Sequence, residues 1–245
     1  MAEKPESLLP YDNQADKHTQ VKHMFDNIAP KYDFMNRLMS FHMDIRWRKK
    51  ALNKIKGQTI HHLLDVATGT ADFALQAWDR LHPDQITGID LSEAMLHIGR
   101  DKVAARGLEA HIRLEQQDCL SLNFPKEQFE AVTVAFGVRN FENIAQGLSE
   151  MHRVLKPGGS LVFLELSRPA RFPMKQLFYL YARIWMPMAG RIFTKDAGAY
   201  TYLPESIQLV PQGEDMLRLL NQAGFVQTSF ETYSMGTCSC YLARK

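Results

Sequence analysis

The apolar positions of the chain fall into two alternating kinds of block. Short continuous apolar runs suit strands buried on both faces, and longer stretches with apolar residues at helical spacing suit covering helices. Residues 60–90, IHHLLDVATGTADFALQAWDRLHPDQITGID, contain both. An apolar run is closed by a tight Gly loop, a helix follows, and a second apolar run ends in Asp90. Next, Ser92 is a candidate N-cap for a helix carrying Ala94, Leu96 and Ile98. Strands are predicted near 111–116, 131–136 and 160–166. Asn143 to Leu155 reads as an amphipathic helix, stopped by a KPGG turn at 156–159 that needs glycine backbone freedom. A helix near 212–223 ends at Gly224, and strands near 226–232 and 237–243 follow. Alternating elements that finish with a strand pair predict an α/β fold, with a seven-stranded, mostly parallel sheet whose last strand is antiparallel.

The loop after the first strand carries the candidate chemistry. Gly69, with the small residues Ala67 and Ala71, lets a ligand lie against bare backbone, and the next helix points its first N–H groups the same way. Asp90 ends the second strand, where a carboxylate can hold both hydroxyls of a ribose. An adenosine-containing cofactor is therefore expected. A dinucleotide is disfavoured, because only one glycine of a G-x-G-x-x-G pattern is present and Asp65 and Asp72 flank the loop. Two carboxylates suit a cofactor with a cationic amine and a sulfonium. The arrangement D-x-A-x-G-T, Asp65 to Thr70, resembles motif I of the class I S-adenosylmethionine methyltransferases. That resemblance implies S-adenosyl-L-methionine as cofactor, with Asp65, Gly69, Thr70, Asp90, Asp118 and the adjoining Cys119 at its site. A non-methylating protein of the same fold is the alternative.

Composition narrows the class. With 245 residues, 45% hydrophobic and 23% charged, the chain can bury the core of one α/β domain. A net charge of +2 is too small to suggest a nucleic-acid partner. Cys119, Cys238 and Cys240 cannot build a disulfide framework and are too few for a structural zinc site. They read as buried thiols in a reducing cytoplasm. The polar start, MAEKPESLLPYDNQADK, has no signal-peptide core, and no run of about 18 apolar residues could span a bilayer. The expected division is an N-terminal helical lid (1–56), a cofactor-binding core (57–168), a substrate- or membrane-facing insert (169–210) and a C-terminal helix with strands (211–245).

Three further blocks sharpen the resemblance. Met24 to Ser40, MFDNIAPKYDFMNRLMS, and Arg153 to Ser167, RVLKPGGSLVFLELS, look like the two signatures of the ubiquinone/menaquinone biosynthesis C-methyltransferases, and AFGVRN, Ala135 to Asn140, is similar to a third family block. One departure stands out: the family's S-x-G-x-H becomes Ser40, Phe41, His42, Met43, Asp44, so its glycine is His42 and its histidine is Asp44. The resemblance implies methyl transfer to a ring carbon of a reduced, polyprenylated quinone, without a metal. Ionising the neighbouring hydroxyl pushes charge onto that carbon, so a stabilised phenolate is required. Arg139, with Asn140 beside it, is the candidate, at the C-terminal end of a strand where open α/β sheets bind ligands. The alternative is that Arg139 only ties a loop carboxylate such as Glu142. Tyr32 and Asp33 are assigned to a segment closing over the cofactor, with Tyr32 either touching the substrate ring or packing the lid. His23 and His42 titrate near neutrality and could act as bases.

Residues 172–193, FPMKQLFYLYARIWMPMAGRIF, mix aromatic and aliphatic side chains with Lys175, Arg183 and Arg191. The cations and Pro187 exclude a span. The segment is expected to form an apolar wall for an isoprenoid tail, and it could equally rest on an anionic membrane surface. Residues 46–56, RWRKKALNKIK, add six positive and no negative charges. A cytoplasmic protein is expected, with the inner membrane face and a homodimer left open. The N/D-P-P-Y/F tetrapeptide of amine and amide methylation is replaced by AFGVRN. Among quinols, the altered 40–44 region favours a demethylmenaquinol over the methoxybenzoquinol precursor of ubiquinone. Small-molecule O-methylation is the nearest rival.

Overall fold

A computed structural model describes residues 7–11, 14–185, 188 and 197–245. Seven strands form one sheet: β1 (His62–Val66), β2 (Gln85–Asp90), β3 (Ile112–Gln116), β4 (Phe129–Ala135), β5 (Leu155–Leu166), β6 (Val226–Tyr233) and β7 (Cys238–Arg244). Their order is β3-β2-β1-β4-β5-β7-β6. β1 pairs parallel with β2 and β4, and β7 runs antiparallel to both β5 and β6. The strand order reverses between β1 and β4, and the loops leaving these two strands diverge there to open a crevice. Both strands are buried on both faces: Leu63, Leu64, Val66, Val132 and Val134 are fully inaccessible, which is why their sequences read as continuous apolar runs.

Helices α3 (Met43–Asn53), α4 (Asp72–Leu81) and α5 (Glu93–Ala105) cover one face, with Ala51, Leu52, Phe73, Ala74 and Leu96 in the shared core. α6 (Ile144–Val154) and α9 (Glu214–Gln222) cover the other through Ile144, Leu148, Met151, Met216 and Leu220. Ser92 caps α5 as expected, its hydroxyl accepting from the Met95 N–H at 3.1 Å. The KPGG segment departs from the predicted turn outside a strand. α6 passes directly into β5 at Leu155, and Lys156–Gly159 forms a bulge where pairing with β4 shifts from Phe129↔Leu155 to Ala131↔Ser160. A Cβ on Gly159 would lie 2.8 Å from the Lys156 carbonyl oxygen, so the bulge excludes any side chain there.

A third layer lies over the C-terminal strand ends. It contains α1 (Lys17–Ile28), α2 (Tyr32–Ser40), α7 (Met174–Leu180), a π-helical turn (Tyr181–Trp185) and α8 (Ala197–Leu209). Asp16 caps α1 by accepting from the Thr19 N–H at 2.7 Å. Met24, Ile28, Met35, Met95, Ala199 and Tyr202 form a separate buried cluster joining α1, α2, α5 and α8. Of the expected apolar wall 172–193, Pro187, Arg191 and Phe193 lie outside the described residues. Among the described residues, no helix is long and apolar enough to cross a membrane.

Candidate active site

The loop after β1 is fixed by its own hydrogen bonds. Asp65, fully buried, accepts from the Thr68 and Thr133 hydroxyls, both at 2.7 Å. Burial pushes its carboxyl up to about 6, against those two bonds. Thr68 N–H donates to the Ile89 carbonyl at 2.9 Å, and Gly69 N–H donates to Asp90 Oδ2 at 2.8 Å, which ties the loop to β2. Gly69 adopts φ +55, where glycine carries no Cβ penalty, and Tyr32 Cε1 lies 3.9 Å from where that Cβ would be.

A cleft beside this loop is lined by Gly69, Asp90, Asp118, Cys119, Tyr32 and Asn140. Four of the six expected cofactor residues therefore meet in one place. Asp65 and Thr70 do not line it. Asp65 is an internal brace, while the Thr70 hydroxyl donates to Asp33 at 2.6 Å and accepts from Lys102 at 3.0 Å. Asp72, expected to face a cationic cofactor, is instead paired with Lys102 at 2.8 Å and with Arg37. The negative charge of the cleft comes from Asp90 and Asp118, together with Glu142.

Asp90 accepts one backbone N–H on each carboxylate oxygen, from Gly69 at 2.8 Å and Ser92 at 2.9 Å. Burial nonetheless raises it to about 6, and each oxygen keeps a lone pair for a further donor. That is the requirement of a diol holder, so the donor set fits a ribose. Asp118 Oδ1 accepts from Leu120 N–H at 2.9 Å, and its Oδ2 lies 3.6 Å from His18 Nε2. Burial, with Asp118 and Asp90 adding to it, holds the Cys119 thiol protonated. His18 and Phe25 of α1 also line this cleft, and Asp26 locks the helix over it by accepting from the Ser92 hydroxyl at 2.6 Å. The sequence reading did not find His18; a lone histidine at a helix start carries no distinguishing signal.

A second cavity of about 300 Å³ adjoins the cleft, and Phe25, Tyr32, Phe136 and Asn140 line both. Its walls are mostly apolar, with Met24, Met35, Met39, Trp47, Leu166 and Phe178 among them. Arg139 lines it from the turn after β4, and its partner is Glu165 of β5 rather than Glu142. Arg139 Nη1 donates to Glu165 Oε1 at 2.7 Å and its backbone N–H to Oε2 at 3.0 Å, while Nε is buried without a partner among the described residues. Burial opposes its charge, but Glu165, with Tyr32 and Tyr202 adding to it, more than offsets this and its pKa lies above the usual guanidinium value. Among the described residues, Asn140 Oδ1 and the Tyr202 hydroxyl are likewise buried and unpartnered.

The candidate bases are not brought to this place. His23 and His42 are exposed and line neither cavity. Asp44, at the family's histidine position, does line the second cavity. Its carboxylate is committed to Arg37, to Arg48 at 2.6 Å and to the Ser40 hydroxyl at 2.8 Å, so it offers no free base. His42 at the family's glycine position adopts φ 59, the left-handed backbone a glycine favours.

The ubiE/COQ5 methyltransferase family matches residues 13–245. The chain belongs to that family. It is 48% identical over 240 residues to the demethylmenaquinone methyltransferase of Bacteroides fragilis, covering 98% of both chains. It is 46% identical to that of Porphyromonas gingivalis, covering 98% of this chain and 99% of the relative. It is 41% identical to the ubiquinone/menaquinone biosynthesis C-methyltransferase of Geobacter sulfurreducens, covering 94% of this chain and 90% of the relative. Among solved structures, the [4+2]-cyclase SpnF superposes with a TM-score of 0.66 at 20% identity, covering 98% of this chain and 99% of that one. A SAM-dependent methyltransferase from Aquifex aeolicus gives 0.60 at 16%, covering 82% and 91%. These two show the fold alone, which hosts more than one chemistry.

Proposed function

We propose that this family member transfers a methyl group from S-adenosylmethionine to a ring carbon of a polyprenylated quinol, with demethylmenaquinol as the preferred acceptor. The observation that carries the reading is the junction of the two cavities at Tyr32, Phe136 and Asn140, with Arg139 beside it. When bound, the cofactor supplies an electrophilic methyl on a sulfonium. Asp90 accepts from the ribose hydroxyls, Asp118 and Cys119 border the remainder of the nucleoside, and Gly69 allows close approach of the backbone.

The apolar cavity holds the acceptor ring, and its walls exclude bulk water from the reacting carbon. Arg139, kept charged by Glu165, favours the ionised ring hydroxyl, which raises electron density on the adjacent carbon. With Asp44 committed to two arginines, the hydroxyl proton and the ring proton lost when aromaticity is restored leave through a single bound water rather than to bulk solvent or a side-chain base. Alignment of the two partners across the junction supplies the rest, up to roughly 7–11 kcal/mol in favourable cases.

The test is methyl transfer from labelled S-adenosylmethionine to reduced demethylmenaquinone and, separately, to the reduced demethylated precursor of ubiquinone, with products located by mass spectrometry. Ring-carbon product from the naphthoquinol is expected. Cofactor binding without product from either would move the assignment to small-molecule O-methylation.

The same reading places the protein against a membrane. Phe172, Leu177, Leu180 and Ile184 are all more than half exposed on and around α7, and Leu177 also lines the cavity. Phe41 packs its ring 6.3 Å from that of Tyr181, so the exposed apolar patch continues across the cavity rim. Lys175, Arg183 and, on α3, Arg46, Lys49 and Lys50 are not buried and can meet anionic headgroups. Pelleting with anionic vesicles, weakened by salt, is expected; absence of binding at low salt would refute the contact.

A further inference from the structure

α8 brings one side chain to the cavity that neither the motifs nor the assigned roles above account for. Tyr202 is 3% exposed, lines the apolar cavity, and its hydroxyl has no hydrogen-bond partner among the described residues. A buried hydroxyl left unbonded costs about 1–3 kcal/mol, a cost relieved when a ligand supplies the missing partner. Arg139 lines the same cavity and is near enough for its charge to act on Tyr202, and it too keeps one unbonded donor, Nε. Two unbonded donors in a largely apolar chamber, whose Asp44 carboxylate is already committed to Arg37 and Arg48, describe a receptor for one electron-rich oxygen.

Resting on the quinol reading above, we propose that Tyr202 is a catalytic residue whose O–H donates to the ring oxygen that ionises, sharing it with Arg139. Burial pushes the Tyr202 hydroxyl up to about 12, with Glu165 adding to this and Arg139 opposing it, so it stays protonated through neutral pH. It is a fixed donor and takes no proton. Because a neutral donor favours the oxyanion more than the parent hydroxyl, the contact strengthens as charge develops.

The test is Tyr202→Phe, which keeps the ring that packs with Met24, Met35 and Ala199 and deletes only the hydroxyl. Turnover is expected to fall roughly 10- to 100-fold, with cofactor affinity unchanged and the melting temperature level or raised, since the variant no longer buries an unbonded hydroxyl. A second readout uses 1-naphthol bound in the presence of S-adenosylhomocysteine, whose ionisation is followed by absorbance. In the wild type its midpoint should lie below that of free 1-naphthol, and in Tyr202→Phe it should rise by about one pH unit. Wild-type turnover in the variant, or an unmoved midpoint, overturns the assignment of Tyr202 while leaving quinol methylation standing. A wild-type protein that methylates neither quinol and does not bind 1-naphthol overturns both.

Discussion

The cleft and the apolar cavity are adjoining spaces built on opposite plans. Around the cleft, polar groups are bonded in advance: Asp90 takes two backbone N–H groups, Asp118 takes a third, and Asp65 takes two hydroxyls. Among the described residues, the cavity leaves Arg139 Nε and the Tyr202 hydroxyl unbonded amid methionine and aromatic side chains, with Asn140 Oδ1 also unbonded at the junction of the two spaces. The first is held by hydrogen bonds at strand ends and the second by packing between helices. A cleft of the first kind suits a ligand with many fixed polar atoms. The second suits one with few polar atoms and much apolar surface, and it concentrates its specificity in those few.

The comparison breaks most visibly at Asp90. Asp90→Ala removes both ribose acceptors and frees Gly69 and Ser92 N–H groups, so the dissociation constant for S-adenosylmethionine should rise at least about 100-fold by titration calorimetry. Binding of 1-naphthol should be unchanged. Arg139 gives the mirror-image result: Arg139→Ala should lower turnover roughly 100-fold or more and spare cofactor affinity. The buried Glu165 confounds it, since an uncompensated charge costs about 3–5 kcal/mol of stability. Arg139→Met with Glu165→Gln removes both charges, and this double variant should melt near the wild type while remaining slow. Recovery of turnover along with stability would reduce Arg139 to a structural role.

The same contrast explains what the sequence could tell. Most of the sheet and the cleft were legible, because local motifs encode them: Gly69 and Asp90 sit one strand–loop–helix–strand apart, and Ser92 precedes its helix. The cavity is assembled from segments remote in sequence, such as Met24, Arg139, Phe178 and Tyr202, so no spacing announces it. Charge was misread where tertiary pairing intervened. Asp72 looks like a free carboxylate until Arg37, Arg48 and Lys102 are placed around it. Arg139 was found, but its partner is a strand residue 26 positions away rather than the neighbouring loop Glu142. α8 was missed altogether; Pro204 inside it and flanking aromatics obscure a helical pattern.

Acidity should sharpen the division. The Asp90 carboxyl, raised by burial to about 6, presents two strong acceptor oxygens to the ribose hydroxyls only when ionised. Falling pH protonates it, so cofactor affinity should weaken below about pH 6, approaching tenfold per pH unit, and be constant above pH 7. Asp90→Asn should flatten that dependence. The cavity groups titrate far from this window, Tyr202 near 12 and Arg139 above the usual arginine value. Binding of neutral 1-naphthol should therefore be level between pH 5 and 8, and a parallel decline of both ligands would indicate one coupled site.

The smallest effect tests the backbone strain carried by the α2–α3 turn, a strain that Ala67 and Ala71 of the cleft loop also carry. Gly69 in the cleft and His42 on the cavity side have nearly the same left-handed φ, 55 and 59, yet only the former is glycine. At the end of α2, Phe41 N–H donates to the Leu38 carbonyl at 3.3 Å and His42 N–H to the Arg37 carbonyl at 2.9 Å, a helix-ending pair that fixes this backbone. The left-handed conformation costs a residue with a Cβ about 1–2 kcal/mol, and glycine gives back about 0.5–1 kcal/mol through its freer unfolded chain. His42→Gly should thus stabilise the protein by up to about 1 kcal/mol, raising its melting temperature by at most roughly 2–4 °C, with cofactor affinity unchanged. The exposed imidazole lines neither cavity, so turnover should also hold. A fall in turnover without loss of stability would instead give the His42 side chain a part in the reaction and move the boundary of the substrate region outward to the α2–α3 turn.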